Sequence, residues 1–204
     1  MASGLALTGL VAAFVASQPA LVNAIFGSPL KWVVMLAPLG LVFFLSFRIS
    51  SMSAGAAQAT FWAYAALNGV AFTTIFLAFT GTSIARVFFI AAATFAAMSL
   101  YGYTTKKDLS GWGTFLFAGL IGIVVAGLVN IFLASSALQF AISVIGVVVF
   151  VGLTAYDTQR IKEVYYEGDG HEIAAKKSIM GALTLYLDFI NIFIMMLQLF
   201  GDRK

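Results

Sequence analysis

Long apolar runs, broken by short polar or turn-forming stretches, dominate the chain. About twenty apolar residues in a helix suffice to cross a bilayer, and clusters of Gly, Pro and charge mark where such helices end. The pattern predicts seven spans, at about 3–24, 29–48, 57–80, 83–104, 112–134, 137–160 and 177–200. Pro19 interrupts the first, and Gly27-Ser28-Pro29 separates it from the second. Ser50 to Gly55, Gly81-Thr82-Ser83 and Thr104 to Gly113 form the next breaks. Ser135-Ser136 makes a tight hairpin turn, and Glu163 to Lys177 is the longest polar stretch. The expected fold class is an all-α membrane protein: one integral membrane domain over 1–204, built as a seven-helix bundle.

Composition sharpens this reading. Of 204 residues, 62% are hydrophobic and only 9% charged, against roughly 25% charged in a soluble domain. Nineteen charged side chains cannot cover a water-facing surface of this size. Zero cysteines exclude disulfides, thiolate metal sites and thiol nucleophiles, and one histidine excludes a multi-histidine metal site. No cofactor is expected. The net charge of +3 would suggest nucleic acid in a soluble chain. In a membrane protein excess Lys and Arg mark cytoplasmic loops instead, so the expected partner is the lipid bilayer and not nucleic acid.

The same count sets an orientation. Arg48, Lys106, Lys107, Arg160, Lys162, Lys176 and Lys177 lie on the N-terminal side, and Lys31, Arg86, Arg203 and Lys204 on the other. The protein is expected to be multi-pass in the cell's inner (plasma) membrane, and seven against four orients it with the N-terminus cytoplasmic and the C-terminus outside. The Ala-rich end of the first span, around Val22-Asn23-Ala24, resembles a signal peptide. No Lys or Arg precedes Lys31, so the basic leader such a signal needs is missing; a trimmed N-terminus would give the same appearance.

Small residues four apart, as at Ala118, Gly122 and Ala126, let helix backbones approach closely in lipid and are expected to glue the bundle. The phosphate-binding loop and the Gly-x-Ser-x-Gly nucleophile elbow are both absent. His171-Glu172 begins like a zinc-protease motif, but Ala175 stands where the second histidine would be. No enzyme is expected.

Polar residues within spans are costly, so each needs a reason. Asp188 stands out, near the middle of the seventh span, where an ionised carboxylate costs at least ~2.5–3.5 kcal/mol. Its alternative role is protonated structural glue. Thr184, Asp188, Asn191, Met195 and Gln198 recur at helical spacing, a polar stripe that should face protein while the Leu, Ile and Phe faces turn outward. The last helix is therefore expected to be central or to line a cavity. Asp157, in the sixth span, is its partner by hairpin symmetry: the midpoint of 157 and 188 falls beside His171 and Glu172, within the polar stretch. Asn68 and Asn130 are expected to make interhelical hydrogen bonds, and Arg48 and Arg86 to snorkel to the interface. His171 is expected to be a solvated loop residue; sensing of pH is its alternative.

Tyr186-Leu187-Asp188-Phe189-Ile190-Asn191-Ile192-Phe193 and Tyr156-Asp157-Thr158-Gln159 resemble the last two helices of the transmembrane Bax inhibitor motif family. Thr105-Lys106-Lys107-Asp108-Leu109-Ser110 is similar to that family's loop between the fourth and fifth helices. The resemblance covers about residues 100–200 by motif and the first half by span count. It implies a seven-helix bundle with the seventh helix in the middle and a pH-sensitive calcium leak. It also implies that Asp157 and Asp188 form a hydrogen-bonded, pH-sensing pair on the ion pathway, and Arg48 is the candidate for the family's latching arginine. Asn191, Thr184 and Tyr186 are further pore or network candidates.

Three functions compete at this point. The first is a pH-gated calcium (cation) leak, with Ca²⁺ met by Asp157 and Asp188 as transported ion. The second is a non-conducting regulator that binds other membrane proteins, such as a membrane-anchored protease. The third is an intramembrane aspartyl hydrolase, the weakest because the Gly-Asp-type contexts of such enzymes are absent.

Overall fold

The computed structural model describes Met1 to Lys204 except Glu167, which lies in the polar 163–177 stretch. Eight α-helices follow in order: α1 Ala2–Ala16, α2 Pro19–Phe26, α3 Leu30–Arg48, α4 Ala54–Ala78, α5 Gly81–Thr104, α6 Ser110–Leu133, α7 Ser136–Val164 and α8 His171–Phe200. Six are long and apolar enough to cross a bilayer, and the bent pair α1–α2 makes a seventh if counted as one span. The protein is an all-α membrane protein with six or seven candidate spans among the described residues.

The first span is not one straight helix. α1 and α2 meet at 99°, because Pro19 lacks an N–H and suits the first position of a new helix better than the interior of an old one. The polar stretch also differs from expectation, since most of it is helical. α7 runs on to Val164, and His171 opens α8 instead of sitting in a loop. Glu172 pairs with Lys176 one turn on, at 3.2 Å, and Asp169, just ahead of the helix, pairs with Lys177. Acidic groups at a helix start and i,i+4 pairs both favour an early start.

The chain forms two compact units, and α8 contributes to each. The first unit holds Met1–Thr80, Tyr165–Tyr186 and Arg203–Lys204. Here α1 lies along α4 at very short range: a Cβ on Gly69 would stand 2.7 Å from the Thr8 carbonyl oxygen. Thr8 Oγ1 is 2.8 Å from the Ala65 carbonyl oxygen and 2.6 Å from the Tyr186 hydroxyl. With its one proton given to Ala65, Thr8 accepts from Tyr186. The Tyr186 ring meets Phe61 and Tyr64 edge-on, the geometry aromatic pairs favour. α3 buries only Val34, Pro38 and Leu45 and leaves Trp32, Leu36, Leu39, Phe43 and Phe47 exposed, a face suited to lipid. Lys204 closes the unit, donating from its backbone N to the Ala78 carbonyl and from Nζ to the Phe76 carbonyl, at the end of α4 where carbonyls lack the helical partner of the interior.

The second unit holds Gly81–Val164 and Leu187–Asp202. α6 meets α7 through Gly113 on the Tyr156 ring, Gly119 on Val149 and Leu116 on Gly152. The Ala118–Gly122–Ala126 face does not play the gluing part expected of it: Ala118 and Gly122 are exposed, and a Cβ on Gly122 would meet nothing within 4 Å. Small residues permit close packing, but the neighbouring face of α6 carries the complementary side chains. Asn130 binds across the hairpin to Gln139 and accepts from the Ser135 N–H. Arg86 donates to the Phe200 carbonyl and the Asp202 carboxylate, so it caps the end of α8 as well as reaching the surface.

Candidate functional site

α8 is the most buried of the described spans, with 56% of its apolar window inside protein against 11–39% for the others. Asp188 is 4% exposed. The expectation that apolar positions 190 and 193 turn outward is overturned, because Ile190 and Phe193 are buried as well. Phe88 and Phe95 of α5 pack edge-on against Phe189, and Phe88 also meets Phe193. The helix is enclosed on its apolar faces too, and Gln198, at the end of the polar stripe, is exposed.

Within the second unit the carboxyl groups of Asp157 and Asp188 stand in hydrogen-bond contact. Two carboxylates offer only acceptors, so such a contact holds when one proton lies between them. Oδ2 of Asp188 is buried and receives no hydrogen bond from any N–H or O–H among the described residues. The hydroxyls that flank Asp157 along α7 are already engaged: Thr154 donates to Phe150 O and Thr158 to Thr154 O.

The two aspartates meet by a different route from hairpin symmetry. α7 ends at Val164 and α8 begins at His171, so the midpoint of the two aspartates, beside Glu172, falls inside α8 and not between the helices. α8 first packs within the other unit and joins that of α7 only from Leu187, one residue before Asp188.

Three contacts hold α7 around Asp157. A Cβ on Gly102 would stand 2.2 Å from the Ala155 carbonyl oxygen, and one on Gly113 2.7 Å from the Tyr156 ring. The Gln159 amide accepts from Leu109 N–H and donates to Lys107 O, tying α7 to the α5–α6 turn. Arg160, one turn beyond Asp157 and exposed, acts on it electrostatically. Sequence reasoning uses Arg160 only as a topology marker and passes over Gln159; the i,i+3 spacing of Asp157 and Arg160 is the signal that points to the arginine.

The remaining candidates fall elsewhere. Asn191, half-buried, donates to Leu187 O of its own helix, and Thr184 is half-buried. Tyr186 lies in the first unit, bonded to Thr8, and Arg48 ends α3 with an exposed side chain. Asn68 donates to Tyr64 O within its own helix instead of across an interface. A cavity of about 490 Å³ lined by Ser3, Gln58, Phe61, Ser178 and Ala182, among others, belongs wholly to the first unit and includes neither carboxyl. Among the described residues no three His, Asp or Glu side chains gather as a metal site.

Apolar helices long enough to cross a bilayer, with two aspartates brought together among them, define a polytopic membrane protein. The family described as "Inhibitor of apoptosis-promoting Bax1" matches residues 1–204, and the chain belongs to this Bax inhibitor family. The inner membrane protein YbhL of Escherichia coli (strain K12) is 49% identical over 207 residues, covering 100% of this chain and 88% of YbhL. An uncharacterized protein of Rickettsia prowazekii (strain Madrid E) is 47% identical over 204 residues, covering 100% of this chain and 86% of that protein. One of Caulobacter vibrioides is 42% identical over 214 residues, with 86% of that protein covered.

Proposed function

We propose that the protein is a pH-sensitive cation leak across the cell's inner membrane, with Ca²⁺ as the transported ion and the Asp157–Asp188 pair as its gate. The observation that carries this reading is the burial of Asp188 against a second carboxyl group. Buried ionisable groups in a span are expensive and mark ion or proton pathways by default. With one proton shared, the pair binds α7 to α8. Without it, two negative charges repel each other and attract a hard cation through oxygen ligands. Two carboxyl groups supply far fewer than the roughly six to eight oxygens of a tight Ca²⁺ site, which suits passage better than storage. The orientation we propose is N-terminus inside, from the Lys and Arg distribution.

Calcium efflux from liposomes containing only this protein, followed between roughly pH 5 and 8, tests the reading. Efflux should rise with pH. The family's description as an inhibitor of another protein favours the alternative, a non-conducting regulator that binds membrane proteins, and efflux equal to that of empty liposomes at every pH would decide for it.

A further inference from the structure

Ser99 is the one other described residue with a buried side-chain oxygen that lacks any partner, and it shares the second unit with Asp188. Hydroxyls inside apolar helices usually return their proton to the carbonyl four residues back. Thr94 and Thr104 do so on α5 itself, to Ile90 and Leu100. Ser99 does not: its hydroxyl meets neither the Phe95 carbonyl nor any other group among the described residues.

The contacts of α5 place Ser99 relative to the two aspartates. Four residues before Ser99, Phe95 packs on Phe189, the neighbour of Asp188. Three residues after it, Gly102 touches Ala155, two residues before Asp157. Phe95, Ser99 and Gly102 share one face of α5 at spacings of four and three. Ser99 thus sits between the contact that α5 makes with α8 beside one aspartate and the contact it makes with α7 beside the other. A carboxyl group has about four acceptor positions, and a proton shared with Asp157 uses one of those on Asp188.

We infer that Ser99 is the third polar member of the carboxyl site, its hydroxyl joined to Asp188 through one buried water molecule. No direct bond exists between the two side chains in this arrangement. A water that donates to the carboxyl and accepts from the hydroxyl satisfies both without moving a helix, and buried waters are held in this way by otherwise unmet polar groups. Ser99 is a positioning residue, acting on the gate through Asp188. The inference uses the gating site of the proposed function but does not require the protein to conduct.

Infrared spectroscopy of the full-length protein in lipid reads the bond directly. Loss in Asp188→Asn assigns the carboxyl C=O band. A hydrogen bond weakens the C=O bond it reaches, so in Ser99→Ala the band should move to higher frequency, and Ser99→Thr, which keeps the hydroxyl, should restore it. Exchange into heavy-oxygen water should shift an internal-water O–H band present in the wild type and absent in Ser99→Ala. If the carboxyl is ionised throughout, the carboxylate stretches serve the same comparison. Ser99→Ala removes a single oxygen, and an unchanged melting temperature establishes that the comparison is between folded proteins. A band unmoved by Ser99→Ala would overturn the inference even where calcium efflux depends on pH. A shifted band in a protein that leaks no calcium would sustain it while the gating reading fails.

Discussion

The backbones of α5 and α7 touch at Gly102 and Ala155, where any Cβ on residue 102 would lie 2.2 Å from the Ala155 carbonyl oxygen. A backbone carbonyl cannot rotate aside as a flexible side chain would, so a methyl group here must push the helices apart. Asp157 lies two residues further along α7.

Gly102→Ala should therefore destabilise the protein by about 1–3 kcal/mol, the usual cost of overpacking, as measured by unfolding in detergent micelles. Gly122→Ala is the contrasting substitution. Its Cβ would meet nothing within 4 Å, and Ala is the better helix former by about 1 kcal/mol. It should leave stability unchanged or slightly raised, and equal losses at both positions would sink the packing argument.

The Thr8–Tyr186 bond supports an asymmetric forecast. Tyr186→Phe removes a donor and leaves Thr8 its other partners, the Gly4 and Ala65 carbonyls, so the loss should be about 0.5–1.5 kcal/mol. Thr8→Val leaves the hydroxyl of a fully buried tyrosine without its acceptor, costing about 1–3 kcal/mol. Unfolding measurements that rank the two the other way would show that Tyr186 finds another acceptor.

What the sequence makes legible is what costs most. Twenty-residue apolar runs in a chain with so few charges have no stable home in water, so the helical membrane class can be read from the chain itself. Asp188 stands out because a carboxyl in a span needs a reason. Readings that depend on three-dimensional partners fare differently. Ala118, Gly122 and Ala126 look like a packing face, but which face of α6 is used depends on the side chains of α7. Ile190 and Phe193 look lipid-facing until Phe88 and Phe95 are brought against that side of α8. Hairpin symmetry supplies Asp157 from an assumed turn centre, whereas α8 shares its packing between two units.

At the α5–α6 turn, Asp108 accepts hydrogen bonds from the hydroxyl and the backbone N–H of Ser110. These hold its carboxyl below the usual carboxylate range. A lowered folded-state value means the contribution is complete above the unfolded carboxylate pKa and is lost as pH falls through the folded one. Amide exchange at the start of α6, corrected for its intrinsic pH dependence, should accelerate on acidification through that range. Asp108→Asn keeps the acceptor oxygen but cannot titrate, so its corrected exchange should be flat with pH. A wild-type profile as flat as that of the variant would remove Asp108 from the account.

The gating proposal makes its own demand on Asp157 and Asp188. The shared proton lets one carboxyl donate to the other across α7 and α8; once it leaves, neither can donate and both are negative. Coulomb repulsion at close range is far stronger inside a span than in water, so the site must open, take up a cation, or regain the proton. Calcium efflux should thus increase as pH rises through the loss of that proton, and decline again on acidification. Asn at either position keeps the size of the side chain and one donor, but the second charge can never form. Asp188→Asn and Asp157→Asn should therefore each flatten the pH dependence of efflux, whatever the level at which each variant leaks. Arg160, which acts on Asp157 from the exposed side, separates gate from scaffold: Arg160→Gln should move the midpoint of the profile while keeping its shape. A purely structural pair predicts that both Asn variants, once folded, leak with the wild-type pH profile, and that result would end the gating proposal.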